Sequence, residues 1–228
     1  MLFKNKLNEV NKKVSYSQCG EDLIIDFIFT TLKIESPTYL DLGAHHPYYL
    51  SNTAFFYLKN SFGVSVEPDP DLFKLIKNER PNEISLNVGV GIEGSEVADF
   101  YIMNIPTLNT FSKSEAERYA SYPGKSIKEV IKLPLLTVNQ IIQSNFKGKA
   151  PNFVSLDVEG MDFEIVNSFE FDKYRPEVFC IETLTYTEDN TERKLNNIIE
   201  YMLNKDYFLY ADTYINSIFV DKKKWSKR

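Results

Sequence analysis

Short runs rich in Val, Ile, Phe and Tyr alternate along the chain with stretches whose apolar residues recur at helical spacing. Strands buried on both sides read as continuous apolar runs, so this alternation predicts a parallel sheet with helices on both faces. The spacing predicts a helix from about Glu21 to Leu32, strand Thr38–Leu42, helix Ser51–Asn60, strand Gly63–Glu67, helix Asp71–Asn78 and strand Ile84–Val88. It then predicts helix Val138–Ser144, strand Asn152–Leu156, helix Phe163–Ser168, strand Val178–Ile181 and helix Glu192–Asn204. Tyr207–Ala211 and Ser217–Val220 are close enough in sequence to form an antiparallel pair at one edge. The expected fold is an α/β, doubly wound, seven-stranded sheet, mostly parallel, with its ligand crevice at the carboxyl ends of the strands where the winding reverses. Two further strand-like runs, Val97–Met103 and Val130–Leu133, flank residues 104–126, which read as a substrate-side insertion or lid over that crevice.

No linker, repeat or composition shift divides the 228 residues, so 1–228 reads as one domain with residues 1–14 as a polar extension. A net charge of −6 provides no field to gather a polyanion, which argues against a nucleic-acid partner. Cys19 and Cys180 lack metal-type spacing and suggest reduced thiols in a cytoplasmic protein. The start carries Lys and Asn where a signal peptide needs an apolar core, and the most apolar stretch, Leu23 to Leu32, is interrupted by Asp26, so neither export nor a transmembrane segment is expected. The composition is compatible with a homo-oligomer. The tail from Lys222 to Arg228 holds five cations in seven positions, suited either to a solubilising terminus or to contact with anionic lipid or a phosphorylated carrier.

Candidate chemistry gathers at the predicted strand ends. Asp41 and Gly43 close the first strand: Gly43 lets backbone approach a ligand, and Asp41 can accept from a ligand hydroxyl or amine, or can simply cap the turn. One glycine instead of three makes a pyrophosphate loop of the dinucleotide type a poor fit. Glu67, ending the second strand, can take both hydroxyls of an adenosine ribose, and Asn87-Val88 end the third where an adenine would lie. Asp157 and Glu159 leave the strand at 152–156 and Glu182 leaves its neighbour; three converging carboxylates suit a hard divalent cation, a general base or, for the first two, a helix cap. His45 and His46, the only histidines, follow Gly43, and a neutral imidazole there suits a base; Pro47 fixes the backbone after His46 and favours that ring of the two. Both rings are equally able to shape the loop. In the insertion, Tyr119 and Tyr122 with neighbouring amides and hydroxyls suit stacking on a sugar, while Lys113, Arg118, Lys125 and Lys128 suit either a nucleotide-sugar phosphate or solvated surface.

The ordered combination of Ser17-Gln18-Cys-Gly20-Glu21-Asp22, Tyr39-Leu-Asp-Leu-Gly-Ala-His-His-Pro47 with Ser51-Asn52-Thr53, Val66-Glu-Pro-Asp-Pro70, Val154-Ser-Leu-Asp-Val-Glu-Gly-Met-Asp-Phe-Glu164 and Pro176-Glu-Val-Phe-Cys-Ile-Glu182 resembles the FkbM family of S-adenosylmethionine-dependent O-methyltransferases. The resemblance runs from about Ser15 to Val220. It implies the Rossmann-like class I methyltransferase fold and methyl transfer to a hydroxyl, in bacterial members often on a sugar or natural product. It puts Asp41 and Gly43 beside the methionine part of the cofactor, Glu67 on the ribose, Asn87 and Val88 near the adenine, and Gln18, Ser51 and Asn52 at the methionine carboxylate or amine. The commonest family form has one Asn after Gly-Ala, where this chain has His45-His46-Pro47. Metal-dependent O-methyltransferases of similar fold use acids at such strand ends, which leaves Mg²⁺ or Mn²⁺ open at Asp157, Glu159 and Glu182. The function expected is O-methylation of a sugar or glycan precursor, free, nucleotide-linked or carrier-linked, in polysaccharide biosynthesis; the alternatives are N-methylation on the same fold and a non-catalytic binding or assembly module.

Overall fold

The computed structural model of the protein describes residues 12–92, 97–188 and 191–228. Helix α1 (Glu21–Leu32) is followed by β1 (Tyr39–Leu42), α2 (Ala54–Leu58), β2 (Gly63–Val66), α3 (Pro70–Glu79) and β3 (Ile84–Leu86). Next come β4 (Gly89–Gly91), β5 (Val97–Met103), a 3₁₀ turn (Pro106–Leu108), α4 (Lys113–Ala120) and β6 (Ile127–Thr137). The chain closes with α5 (Val138–Asn145), β7 (Phe153–Leu156), α6 (Asp162–Asn167), β8 (Val178–Glu182), α7 (Asn196–Asn204), β9 (Tyr207–Asp212), β10 (Asn216–Asp221) and α8 (Lys222–Trp225).

Among the described residues, seven strands form one sheet in the order β3-β2-β1-β7-β8-β10-β9. β1 pairs in parallel with both β2 and β7, and β10 runs antiparallel to β8 and β9, so the expected hairpin lies at that edge with its reversed strand inserted beside β8. The chain winds outward from β1 through β2 to β3, returns, and winds the other way from β7 through β8. The reversal puts the crevice at the carboxyl ends of β1 and β7, as the apolar pattern predicted.

Strand alternation divides the sheet into two unlike faces. Leu40, Leu42, Val64, Val66, Val154 and Leu156 pack with α5, α6 and α7 in an apolar core. Tyr39, Phe153, Val178 and Cys180 pack on the opposite face against α1 and α2. On that second face a polar row interrupts the core: Asp41 stands in register with Ser65 on one side and Ser155 on the other. Such a row needs hydrogen-bond partners in the helical layer above it.

Residues 104–126 connect β5 to β6 in a small second sheet of order β4-β6-β5. Its β6 is longer than the expected Val130–Leu133, and β4 was not foreseen. Met103, Leu108, Ala116 and Tyr119 give this segment a core of its own. Cys19 is exposed and Cys180 buried, both as free thiols. No helix among the described residues is long and apolar enough to cross a membrane.

Candidate active site

The carboxyl ends of β1, β2 and β7 open onto a cavity of about 600 Å³, a volume that suits a cofactor-sized ligand. Its floor is the turn after β1. Gly43 has φ 82°, and a Cβ there would lie 1.8 Å from the Asp157 carbonyl oxygen, so only glycine lets the β1 and β7 turns touch. His45 continues the turn at φ 54°, and Leu50 (φ 55°) and Glu159 (φ 52°) are also left-handed; all three line the cavity. Strained backbone held in this way clusters where a site must be shaped.

Glu67 ends β2 and faces the cavity. One carboxylate oxygen accepts the His45 N–H and the other the Asp69 N–H, each at 2.7 Å, so the side chain ties the β1 turn to the start of α3. Asp69 in turn caps α3 by accepting from the N–H groups of Asp71 and Leu72, and it receives Asn109 of the inserted segment at 2.9 Å. Asn87 donates to the carbonyls of Glu67 and Pro68 and so holds the wall from behind, while Val88 lines it. Val66, Leu72, Val90 and Phe100 complete an apolar wall, and Gln18 and Asn52 bring amides to the same cavity.

Asp41 and Ser51, expected at the methionine end of the cofactor, are one layer below the cavity wall. Alternation along β1 sends Asp41 to the same face as Tyr39, where Thr53 Oγ1 donates to it at 2.5 Å. Arg80, only 1% exposed, donates to Thr53 Oγ1 and Ser51 Oγ and to the Pro47 carbonyl, and its Nη1 lies 3.5 Å from Glu83. Glu83 accepts from Ser65 and Tyr39. This network gives Asp41 and Ser65 their hydrogen-bond partners and anchors residues 47–53 beneath the cavity. Nothing but a lone arginine three residues before a glutamate announced it in the sequence.

The opposite wall is acidic. Asp157, Glu159 and Glu182 all face the cavity, together with Thr185 and Tyr186 from the loop after β8. Neither Asp157 nor Glu159 caps α6. Asp162 shapes that turn instead, accepting the N–H groups of Val158 and Gly160. Tyr119 donates to the Glu159 carboxylate at 3.3 Å, and Thr110 donates to the Glu159 carbonyl at 2.9 Å, which fastens the inserted segment to this wall.

The family profile described as "Methyltransferase FkbM domain" matches residues 41–209. The chain belongs to the FkbM methyltransferase family. Its members use S-adenosylmethionine, and the cavity's single close-approach glycine, buried carboxylate at the end of β2 and apolar wall fit that cofactor. Among solved structures, the chain is similar to an O-methyltransferase from Bacillus cereus in complex with SAH (10% identity, 96% of this chain and 88% of that one, TM-score 0.46). It is also similar to a TehB-like SAM-dependent methyltransferase from Corynebacterium glutamicum (9% identity, 97% and 95%, TM-score 0.45). A precorrin-6y C5,15-methyltransferase from Geobacter metallireducens is comparable (11% identity, 88% and 87%, TM-score 0.45). No curated protein matches significantly.

Electrostatics separate the two walls of this FkbM methyltransferase. Desolvation pushes Glu67 up to about 8, against the pull of its two N–H donors. On the other wall desolvation and mutual repulsion act together: Asp157 is pushed up to about 7, and Glu159 and Glu182 are raised well above the ordinary carboxylate range. Asp157 and Glu182 share a hydrogen bond, so the pair holds one proton between them more readily than either acid would alone. The expected three-carboxylate cation site is not formed: among the described residues no three such groups stand as a metal-ligating set. Asp157 turns to Glu182, while Glu159 turns to Tyr119.

The two histidines part company. His45 lines the cavity, and desolvation lowers its pKa. His46 is off the cavity wall; its Nδ1 accepts the N–H groups of Tyr48 at 3.1 Å and Tyr49 at 3.0 Å, so the ring closes the 46–49 turn. Two of the cations expected to meet a phosphate are likewise committed. Arg118 donates to Glu115 and Lys125 pairs with Glu188, which leaves neither poised for a phosphate.

Proposed function

We propose that this methyltransferase acts on a hydroxyl of a sugar or glycan precursor, with Asp157 as the base that accepts the hydroxyl proton. The observation that carries this reading is the junction, in one cavity, of a cofactor wall at Glu67 and an acidic wall at Asp157 and Glu182. S-adenosylmethionine supplies an electrophilic methyl group when bound. Gly43, Glu67, Gln18, Asn52 and Val88 are the residues that hold it, and Asp41, Ser51 and Asn87 support them from behind. An alcohol attacks poorly unless its proton is taken as the bond forms, and a base is most effective when its pKa lies near the working pH. Asp157 meets that condition, and Glu182 steadies its charge by sharing a proton. His45 shapes the turn between the two walls, and His46 supports it. The free thiols, Cys19 and Cys180, suit a reducing cytoplasm.

The test is incubation with isotope-labelled S-adenosylmethionine and a panel of free, nucleotide-linked and carrier-linked sugars, read by mass spectrometry. Label on a sugar oxygen supports the reading. Label on nitrogen only, or cofactor binding without transfer to any member, overturns it.

A further inference from the structure

A second cavity, of about 630 Å³, adjoins the first and shares Glu159, Glu182, Leu184, Thr185, Tyr186 and Thr187 with it. The remainder of its lining comes from the inserted segment, the start of α6 and residues 191–197, and includes Tyr119, Tyr122 and Phe163. Tyr119 and Tyr186 meet edge to face with centroids 5.7 Å apart, at the boundary of the two cavities. Aromatic faces beside hydroxyl and carboxylate acceptors form a surface on which a sugar ring can stack while its hydroxyls donate.

The charges around this cavity are unevenly matched. Glu115, Arg118, Glu159, Asp162, Glu164, Glu182 and Arg193 face it. Glu115 is spent on Arg118, whose remaining donors go to the Tyr122 hydroxyl and the Tyr186 carbonyl. Asp162 is held by two backbone N–H groups. Lys125 reaches Tyr186 from outside the lining and is neutralised by Glu188. What remains is Glu159, Glu164 and Glu182, none of them in an ion pair among the described residues, against Arg193, which is exposed at the rim. Among the described residues of the lining, Arg118 is spent and Arg193 is exposed, so a phosphate seated here would give up its water without a free buried cation to replace it.

Resting on the sugar-methylating reading above, we infer that the second cavity is the acceptor site and that it takes a saccharide unit bearing no negative charge, neutral or amine-substituted, in preference to a sugar phosphate. Tyr122 and Glu164 are its specificity residues, because they line this cavity and not the first.

The test uses the full chain loaded with S-adenosylhomocysteine and saturation-transfer NMR with three probes: a methyl hexoside, a methyl aminohexoside and a hexose 1-phosphate. The neutral or the amine probe should bind at least tenfold more tightly than the phosphate, and the pair separates a neutral from a cationic preference. Tyr122→Ala should weaken the favoured probe at least tenfold. Glu164→Lys, an exposed and fold-tolerant change, should narrow the gap between favoured probe and phosphate several-fold. S-adenosylhomocysteine affinity, read by calorimetry, should stay within twofold in both variants. Equal or tighter phosphate binding overturns the inference, as does probe binding insensitive to both variants, or no binding of any probe. Saccharide bound here without methyl transfer would sustain the inference while sinking the functional reading; methyl transfer insensitive to both variants would do the reverse.

Discussion

The two walls of the crevice are built from the same residue type and put it to opposite use. On the β1–β3 side, the Glu67 carboxylate is fixed by two backbone N–H donors, and Asp41 by Thr53 and, through it, Arg80. On the β7–β8 side, Asp157, Glu159 and Glu182 have acids for neighbours, and their charges oppose one another. Carboxylates with donors locked around them keep a shape; carboxylates that repel keep a proton within reach. The proposed function divides the work along this line, with the first wall holding the cofactor and the second taking the proton.

The sharpest way to break that division is to push the walls apart. Gly43→Ala would place a methyl against the Asp157 carbonyl in a left-handed backbone, where neither strand end can retreat. The expected cost is about 5 kcal/mol or outright loss of the folded chain, read by denaturant titration. A variant with near-native stability would mean the turns are not in contact.

Arg80→Met tests the holding side alone. Removing the guanidinium leaves Glu83 and Asp41 without their cation, which should destabilise by about 3 kcal/mol or more. Cofactor affinity should fall with it, because residues 47–53 lose their anchor, and Arg80→Lys should restore part of each. A stability change without any change in cofactor affinity would confine the network to structure.

The pH dependence follows from the raised acids. A carboxyl that binds its proton more tightly folded than unfolded leaves stability intact below the unfolded pKa and removes it as pH rises through the folded one. For Glu67 the window runs from about 4.5 to about 8, and Asp157 and Glu182 act in the same direction. The cofactor-free protein should therefore melt at lower temperature at pH 8.5 than at pH 6, whereas turnover should climb over the same range as Asp157 loses its proton. Parallel rather than opposed slopes would contradict the assignment.

The smallest effect belongs to His46→Ala. Loss of an acceptor for two N–H groups should cost about 1 kcal/mol with turnover within a few-fold of native. A hundredfold loss of turnover would return the base to that ring.

The parallel strands were legible because burial on both faces makes them apolar runs, and Gly43 and Glu67 were legible because strand ends put them at the switch point. β4 was not, because Gly89-Val90-Gly91 is too short to carry a period, and β6 was legible only over Val130–Leu133, because Lys128 and Glu129 before it and Pro134 after it interrupt the run. The acids at 157, 159 and 182 were read as converging, which holds for the cavity, but their grouping depends on side-chain direction that spacing does not encode. Asp41 looked like a ligand contact because its strand position is right; its partners, Thr53 and Arg80, lie far apart in the chain, and only the fold joins them. The same limit hid Tyr186, whose value comes from its contact with Tyr119 across the crevice.

The division of labour between the walls is tested most directly by measuring cofactor affinity and turnover side by side for Glu67→Ala and Asp157→Asn. Glu67→Ala should weaken cofactor binding by about 1–3 kcal/mol and regain much of its turnover at saturating cofactor. Asp157→Asn should keep cofactor affinity within a few-fold and lose turnover by roughly 10²–10⁴ at every cofactor concentration. The reverse pattern, with Asp157→Asn failing in binding and Glu67→Ala in turnover, would contradict the account.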